Sequence, residues 1–217
     1  MGTFIHIGYP RTGTTFLQKH VMPQCRNAEY HKVRGLDYWP VDGLKNVMIN
    51  ENLVYMSPDS IFKRFPKAKI IVTTRDQTTM IPSHYQYVYI KAGGTLSYRQ
   101  YARQCMQLGM FDYSKDLRRW RELFTVHELR YETLQRDQGA FLKMLFDIIG
   151  VEEKIVGTKN RNRRYNPFVT RAKRLQNMRL LPKGRLADRL INKLSTIIPA
   201  PGFEDVMKEE IEDYYRS

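Results

Sequence analysis

Near its start the chain gathers two glycines, three threonines and an arginine around a turn. The apolar run Phe4-Ile5-His6-Ile7 breaks into Gly8-Tyr9-Pro10-Arg11-Thr12-Gly13-Thr14-Thr15-Phe16, which reads as a strand, a tight loop and a helix start. That geometry offers backbone N–H groups and a helix N-terminus to a phosphate. Gly8 and Gly13 stand at the spacing of the nucleotide-binding P-loop, but Thr14 takes the place of its lysine, and the cation sits inside the loop as Arg11. A second cation, Arg75, follows the run 69–74 (Lys-Ile-Ile-Val-Thr-Thr), and Ser83 comes eight residues later. A guanidinium and a hydroxyl thus meet at a strand-to-helix corner, where a bidentate arginine suits a phosphate. The plainer alternative pairs Arg75 with Asp76 or another acid and leaves Ser83 facing solvent. Glu51 ends the apolar segment 46–50, a carboxylate at a strand end that serves either as a base or as the partner of a lysine.

These residues need elements to hold them. The segments 46–50 and 69–74 are short, apolar and unalternating, as strands buried on both faces of a parallel sheet are. Between them, Ser57-Pro58-Asp59-Ser60 opens a helix with Pro in its first turn and Phe62 and Phe65 on one face. Another helix follows Arg75, through Thr78 to about residue 90, until Gly93-Gly94 interrupts it. A fourth strand fits 125–130, and 139–149 reads as a helix stopped by Gly150. Strands alternating with helices predict an α/β fold around a mostly parallel sheet, with its ligand site at the carboxyl ends of the strands. His6 reads as a satisfied core histidine, and the face carrying Tyr85 and Tyr89 as packing.

At 217 residues the chain suits one domain, with about 70% of its unfolded surface available for burial. The net charge of +14 points to anionic partners: nucleotides, sulfated or phosphorylated glycans, nucleic acid or acidic lipid. Cys25 and Cys105 have no metal-ligand spacing and read as free thiols of a reducing compartment. With no signal peptide and no run approaching the roughly 20 apolar residues that span a bilayer, the expected location is the cytoplasm.

Tyr9-Pro10-Arg11-Thr12-Gly13-Thr14-Thr15-Phe16 resembles the 5′-phosphosulfate loop of sulfotransferases, commonly Pro-Lys-Ser-Gly-Thr-Thr-Trp, with arginine at the lysine position as in bacterial members. The resemblance covers 4–20, 47–90 and 111–150. It implies a P-loop-type three-layer fold, a sulfuryl donor, 3′-phosphoadenosine 5′-phosphosulfate (PAPS), its product PAP, and no metal. By it, Arg11, Thr12, Gly13, Thr14 and Thr15 hold the 5′-phosphate, and Arg75 and Ser83 hold the 3′-phosphate. His127-Glu128-Leu129-Arg130-Tyr131-Glu132-Thr133-Leu134 is similar to the family's Tyr-Glu-Asp-Leu stretch, which puts Tyr131 near the adenine, although a core tyrosine is the competing reading. Phe111-Asp112-Tyr113 and Trp120 follow the spacing of bacterial and glycan-modifying members and read as packing. Glu51 becomes the catalytic base, as in members acting on glycans or tyrosine, with Arg11 a fixed charge on the leaving phosphate. The expected acceptor is a hydroxyl, or an amino group, of a carbohydrate or glycolipid. Arg161 and Arg163 sit where the family closes a loop over the 3′-phosphate, which makes 157–217 a basic helical region packed on or covering the donor site within a single domain, 1–217.

From Arg161 to Lys193 there are eleven Lys/Arg against one acid, Asp188. Leu175, Met178, Leu186 and Leu190 are interleaved at helical intervals, so this stretch is either a solvated helical face or a docking surface for an anionic polymer or a membrane. The acidic tail from Glu204 is expected to form a last helix folding back on it. Two other functions remain open: a P-loop kinase, disfavoured by Thr14 in place of the lysine and by the want of a clear magnesium-binding aspartate at the end of the run 69–74, where Arg75 stands before Asp76, and a basic nucleic-acid or membrane-binding module, which leaves Arg11, Glu51, Arg75 and Ser83 without a purpose. No nucleic-acid partner is expected.

Overall fold

The computed structural model describes residues 2–25, 27–32, 45–49, 53–54, 56–151, 167–195, 203 and 207–216. The chain divides into two compact units, Met1–Asp76 with Tyr113–Asn160, and Gln77–Asp112 with Arg161–Ser217.

The first unit is built on a parallel sheet of β1 (Thr3–His6), β2 (Ala28–Lys32), β3 (Lys45–Ile49), β4 (Lys69–Thr74) and β5 (Thr125–Arg130), in the order β2-β3-β1-β4-β5. Phe4 pairs with Val47 and Lys69, and Ile71 with His127. Five successive residues of β4, Ile70 to Thr74, are buried, as a central strand covered on both faces requires. Phe4, Val47, Ile71 and Leu129 lie on one face, in a core with Leu17, Val21, Phe141, Leu145 and Ile149. Those helical residues belong to a run opening as α1 (Thr14–Phe16), continuing through a π turn (Leu17–Val21) and a 3-10 turn (Met22–Gln24), and to α8 (Gln138–Ile149). Ile5, Ile70 and Val72 point the other way and are fully buried too. α2 (Pro58–Arg64) and α6 (Arg118–Leu123) meet through the Phe62 and Phe124 rings, edge to face at 5.4 Å. The expected α/β architecture is the one observed.

Local signals explain the elements. Ser57 precedes α2 with Pro in its first turn, the Asp137 carboxylate accepts from the Ala140 N–H at the start of α8, and Gly150 ends α8 in the left-handed region at φ 70°. β2 was not expected: Ala-Glu-Tyr-His-Lys carries no apolar run, because an edge strand is not covered as a central one is.

The second unit is helical among its described residues. α3 (Gln77–His84) contains Pro82 and passes into a π turn, Tyr85–Tyr89, a widened turn of the kind a missing proline N–H favours. α4 (Tyr98–Gln107) opens with a Ser97/Gln100 capping box. Tyr85, Tyr89, Tyr98, Tyr101 and Phe203 pack ring on ring with centroids 4.5 to 5.8 Å apart; Tyr85 is a buried core residue and Tyr89 packs against it half-buried. α9 (Pro167–Asn177) and α10 (Arg185–Leu194) follow. The acidic tail does form a helix, α11 (Lys208–Arg216), but it packs on α3 and α4, with Glu210 3.5 Å from Arg103 and the Tyr215 hydroxyl donating to the Met110 carbonyl. Among the described residues, Glu210 pairs with Arg103 and Glu212 with Lys208 and Arg216, and the ion pairs of this helix do not involve the basic stretch. Among the described residues, no helix is long and apolar enough to cross a membrane.

Candidate functional site

The loop after β1 is shaped by two residues in the left-handed region, Arg11 at φ 72° and Gly13 at φ 89°. Glycine reaches that conformation without cost and arginine does not, so the position of Arg11 is held by its surroundings. A methyl group on Gly13 would come within 2.7 Å of Leu134 Cδ2 and 3.4 Å of Tyr131 Cδ2. Only glycine therefore lets the loop lie against α7 (Tyr131–Arg136). Inside the turn, the Thr12 hydroxyl donates to the Tyr9 carbonyl at 2.7 Å, and that of Thr14 approaches the same oxygen at 3.4 Å. Tyr9 is anchored by its hydroxyl to the Asp116 carboxylate at 2.9 Å and by ring packing on Tyr113 at 4.7 Å; both partners lie on α5 (Tyr113–Asp116).

Past the turn, the N–H groups of Phe16 and Leu17 donate to the Gly13 carbonyl. The N–H groups of Thr12, Gly13, Thr14 and Thr15 meet no backbone carbonyl among the described residues. Four unsatisfied donors at the start of a helical run, with a guanidinium in the same loop and no carboxylate among its residues, form a donor set suited to a phosphate.

Arg75 leaves the end of β4 nearly buried, at 8% exposure. Its guanidinium donates to the Arg11 carbonyl at 3.1 Å and lies 4.7 Å from the centroid of the Tyr131 ring. The two arginines singled out by sequence, 64 residues apart, are thus brought together, with Tyr131 beneath one of them as a buried core residue. The backbone at Arg75 is fixed as well: the Tyr113 hydroxyl donates to its carbonyl at 2.8 Å, and the next N–H, of Asp76, donates to Glu132 at 2.9 Å. Tyr113, Asp116 and Glu132 are the supports that sequence reasoning passed over. Only the Tyr113 spacing had been visible, and it reads as packing until the Arg75 carbonyl is seen above it.

Ser83 lies half-buried on α3 in the second unit. Glu51, Arg161 and Arg163 lie outside the described residues. Among the described residues no group of three or more His, Cys, Asp or Glu is placed to hold a metal ion.

His6 lies under the loop. Its Nε2 is hydrogen-bonded to the Thr73 hydroxyl, while Nδ1 is buried without a partner among the described residues, so the expected satisfied histidine is only half satisfied. A methyl on Gly8 would come within 2.7 Å of both the His6 ring and the Thr14 hydroxyl, so Gly8 lets the loop close down on this side chain. Burial pushes the imidazole pKa down to about 4. An unfolded histidine binds its proton below about pH 6.5, whereas the folded one stays neutral to a much lower pH. The stability His6 contributes is therefore fully present above pH 6.5 and is lost as pH falls toward 4. Between pH 7 and pH 5 this one group should lower the unfolding free energy by about 2 kcal/mol. Urea titrations of His6→Gln at both pH values should lack that difference, and an undiminished difference would assign it to another group.

The same architecture occurs in known structures. The sulfotransferase from Alicyclobacillus acidocaldarius is 16% identical with a TM-score of 0.59, over 87% of this chain and 99% of that one. Mouse sulfotransferase SULT7A1, solved with PAP, is 14% identical with a TM-score of 0.54, over 91% and 89% of the two chains. At these identities the likeness is one of fold, and no curated protein matches the sequence. The model of the sulfotransferase family matches residues 21–154, a stretch that begins after the phosphate loop and takes in Glu51, Arg75, Ser83 and Tyr131; this chain belongs to the sulfotransferase family.

Proposed function

We propose that the protein transfers a sulfuryl group from PAPS to a hydroxyl of a carbohydrate or glycolipid. The observation that carries the donor reading is the pinned loop: four open N–H groups, Arg11 in the same turn, and the Arg75 guanidinium 3.1 Å from the Arg11 carbonyl. When bound, PAPS supplies the sulfuryl group to be displaced in line from its 5′-phosphate. Arg11 and the N–H groups of Thr12, Gly13, Thr14 and Thr15 stabilise the charge that grows on the departing phosphate, and they do so as fixed donors needing no rearrangement. Arginine keeps its proton at ordinary pH, so Arg11 acts as charge and not as acid. Arg75, with Ser83, Arg161 and Arg163, holds the 3′-phosphate, and Tyr131 borders the adenine. Glu51 takes the proton from the acceptor hydroxyl. The free thiols of Cys25 and Cys105 suit a reducing compartment, the cytoplasm.

Two measurements test this reading. With labelled PAPS and a panel of carbohydrate, glycolipid and simple phenolic acceptors, label is expected on carbohydrate hydroxyls; label confined to phenols would overturn the acceptor. Glu51→Gln should lower turnover by about 10²–10⁴ and leave PAP affinity unchanged, whereas undiminished turnover would remove Glu51 from the role of base.

A further inference from the structure

We infer that the α9–α10 hairpin is a docking surface for a bilayer that carries anionic headgroups. The hairpin is a defined piece of structure. Arg179 ends α9 at φ 60°, with the Leu180 N–H returning to the Leu175 carbonyl at 2.9 Å, a helix-closing turn of the left-handed type. Gln176, buried, donates to the Pro182 carbonyl at 2.8 Å and reaches the Asp188 carboxylate at 3.3 Å. The single acid of the segment 161–193 is thereby tied to the neighbouring helix.

What remains outward is apolar and cationic. Of the eight exposed large hydrophobic residues among those described, five fall between Met178 and Leu190, and that concentration separates this patch from scattered surface leucines. Leu180, Leu186 and Leu190 are 64%, 80% and 58% exposed. On α10, Ile191 is buried and Ala187 and Leu194 are half-buried, while Leu186 and Leu190, one turn apart, share the open face. Arg179, Lys183, Arg185 and Arg189 are exposed around these leucines and pair with no carboxylate among the described residues. Two cations nearer the start of α9 are used internally: Arg171 lies over the Phe203 ring at 5.4 Å, and Arg174 donates to the Thr95 carbonyl at 2.7 Å.

A surface that offers leucines ringed by cations fits an interface that is apolar inside and negative outside, as an anionic membrane is. A polyanion would satisfy the cations and leave the leucines wet, and a second copy would bring two positive faces together. The inference does not rest on the donor chemistry. Joined to it, the surface would bring the enzyme to acceptors borne on lipid.

Sedimentation of the full chain with vesicles tests this. Binding is expected to phosphatidylcholine vesicles containing phosphatidylserine, and not to phosphatidylcholine alone. Leu186→Asp with Leu190→Asp should weaken that binding by about a hundredfold, and Arg185→Glu with Arg189→Glu by at least about thirtyfold; these side chains are exposed, so thermal unfolding of both variants should match the parent. Three outcomes would overturn the inference: no binding to the anionic vesicles, binding that the arginine pair abolishes but the leucine pair does not alter, as for a polyanion site, or a parent dimer that the leucine pair converts to monomer without loss of vesicle binding.

Discussion

Replacing Arg75 by alanine is expected to weaken PAP binding by about a hundredfold or more while changing the weaker binding of adenosine 5′-phosphate far less. Each hydrogen bond to a charged phosphate oxygen contributes about 1.5–3 kcal/mol, and a guanidinium supplies two side by side. Arg75 also holds the loop through the Arg11 carbonyl at 3.1 Å, so some loss for the 5′-phosphate alone is expected. The two nucleotides separate the roles. A residue that only braced the loop would weaken both ligands equally, and equal losses measured by calorimetry would take the 3′-phosphate away from Arg75. Arg75→Lys should recover little, because a point charge replaces a planar fork that also stacks on Tyr131, 4.7 Å from its ring centroid.

Arg11→Ala should lower turnover by about 10²–10³, the usual cost of removing one fixed donor from a site where charge develops, and Arg11→Lys should keep part of the rate. The backbone makes this series unusually clean. At φ 72° arginine, lysine and alanine bear a similar left-handed penalty, so the three variants differ in side chain and not in loop strain. Arg11→Gly relieves that strain yet lacks the charge, and it should be as slow as the alanine variant although the loop is more easily formed. A glycine variant with parental turnover would show that the loop shape alone, without the guanidinium, does the work.

The legible part of the molecule was the part governed by short-range rules. The loop between Gly8 and Gly13, the proline-opened helix 58–64, the cap of Gly150 and the unalternating strand 69–74 each follow from local chemistry, and each stands where the sequence places it. β2 escaped because an edge strand needs no apolar run. The tail helix was expected on the basic stretch because opposite charges suggested it, whereas Ile211 is buried and α11 lies on α3 and α4; burial of an apolar face outweighs exposed ion pairs, each contributing less than about 1 kcal/mol. In the site, Arg11 in the turn after β1 and Arg75 at the end of β4 were legible as cations at strand ends. Their mutual contact was not, since a side chain reaching a carbonyl 64 residues away leaves no pattern in spacing. Nor were Tyr113, Asp116 and Glu132 as supports, because a tyrosine or acid that braces a backbone looks in sequence like any surface or core residue.

The central claim is that the loop and Arg75 were built for a 3′-phosphorylated adenine nucleotide and not for a nucleoside triphosphate with magnesium. Calorimetric titration of the purified protein with PAP, and separately with ATP and magnesium, tests it most directly. The account predicts tight PAP binding that is unchanged by a chelator, and weak or absent binding of Mg-ATP. Preference for Mg-ATP over PAP would contradict it.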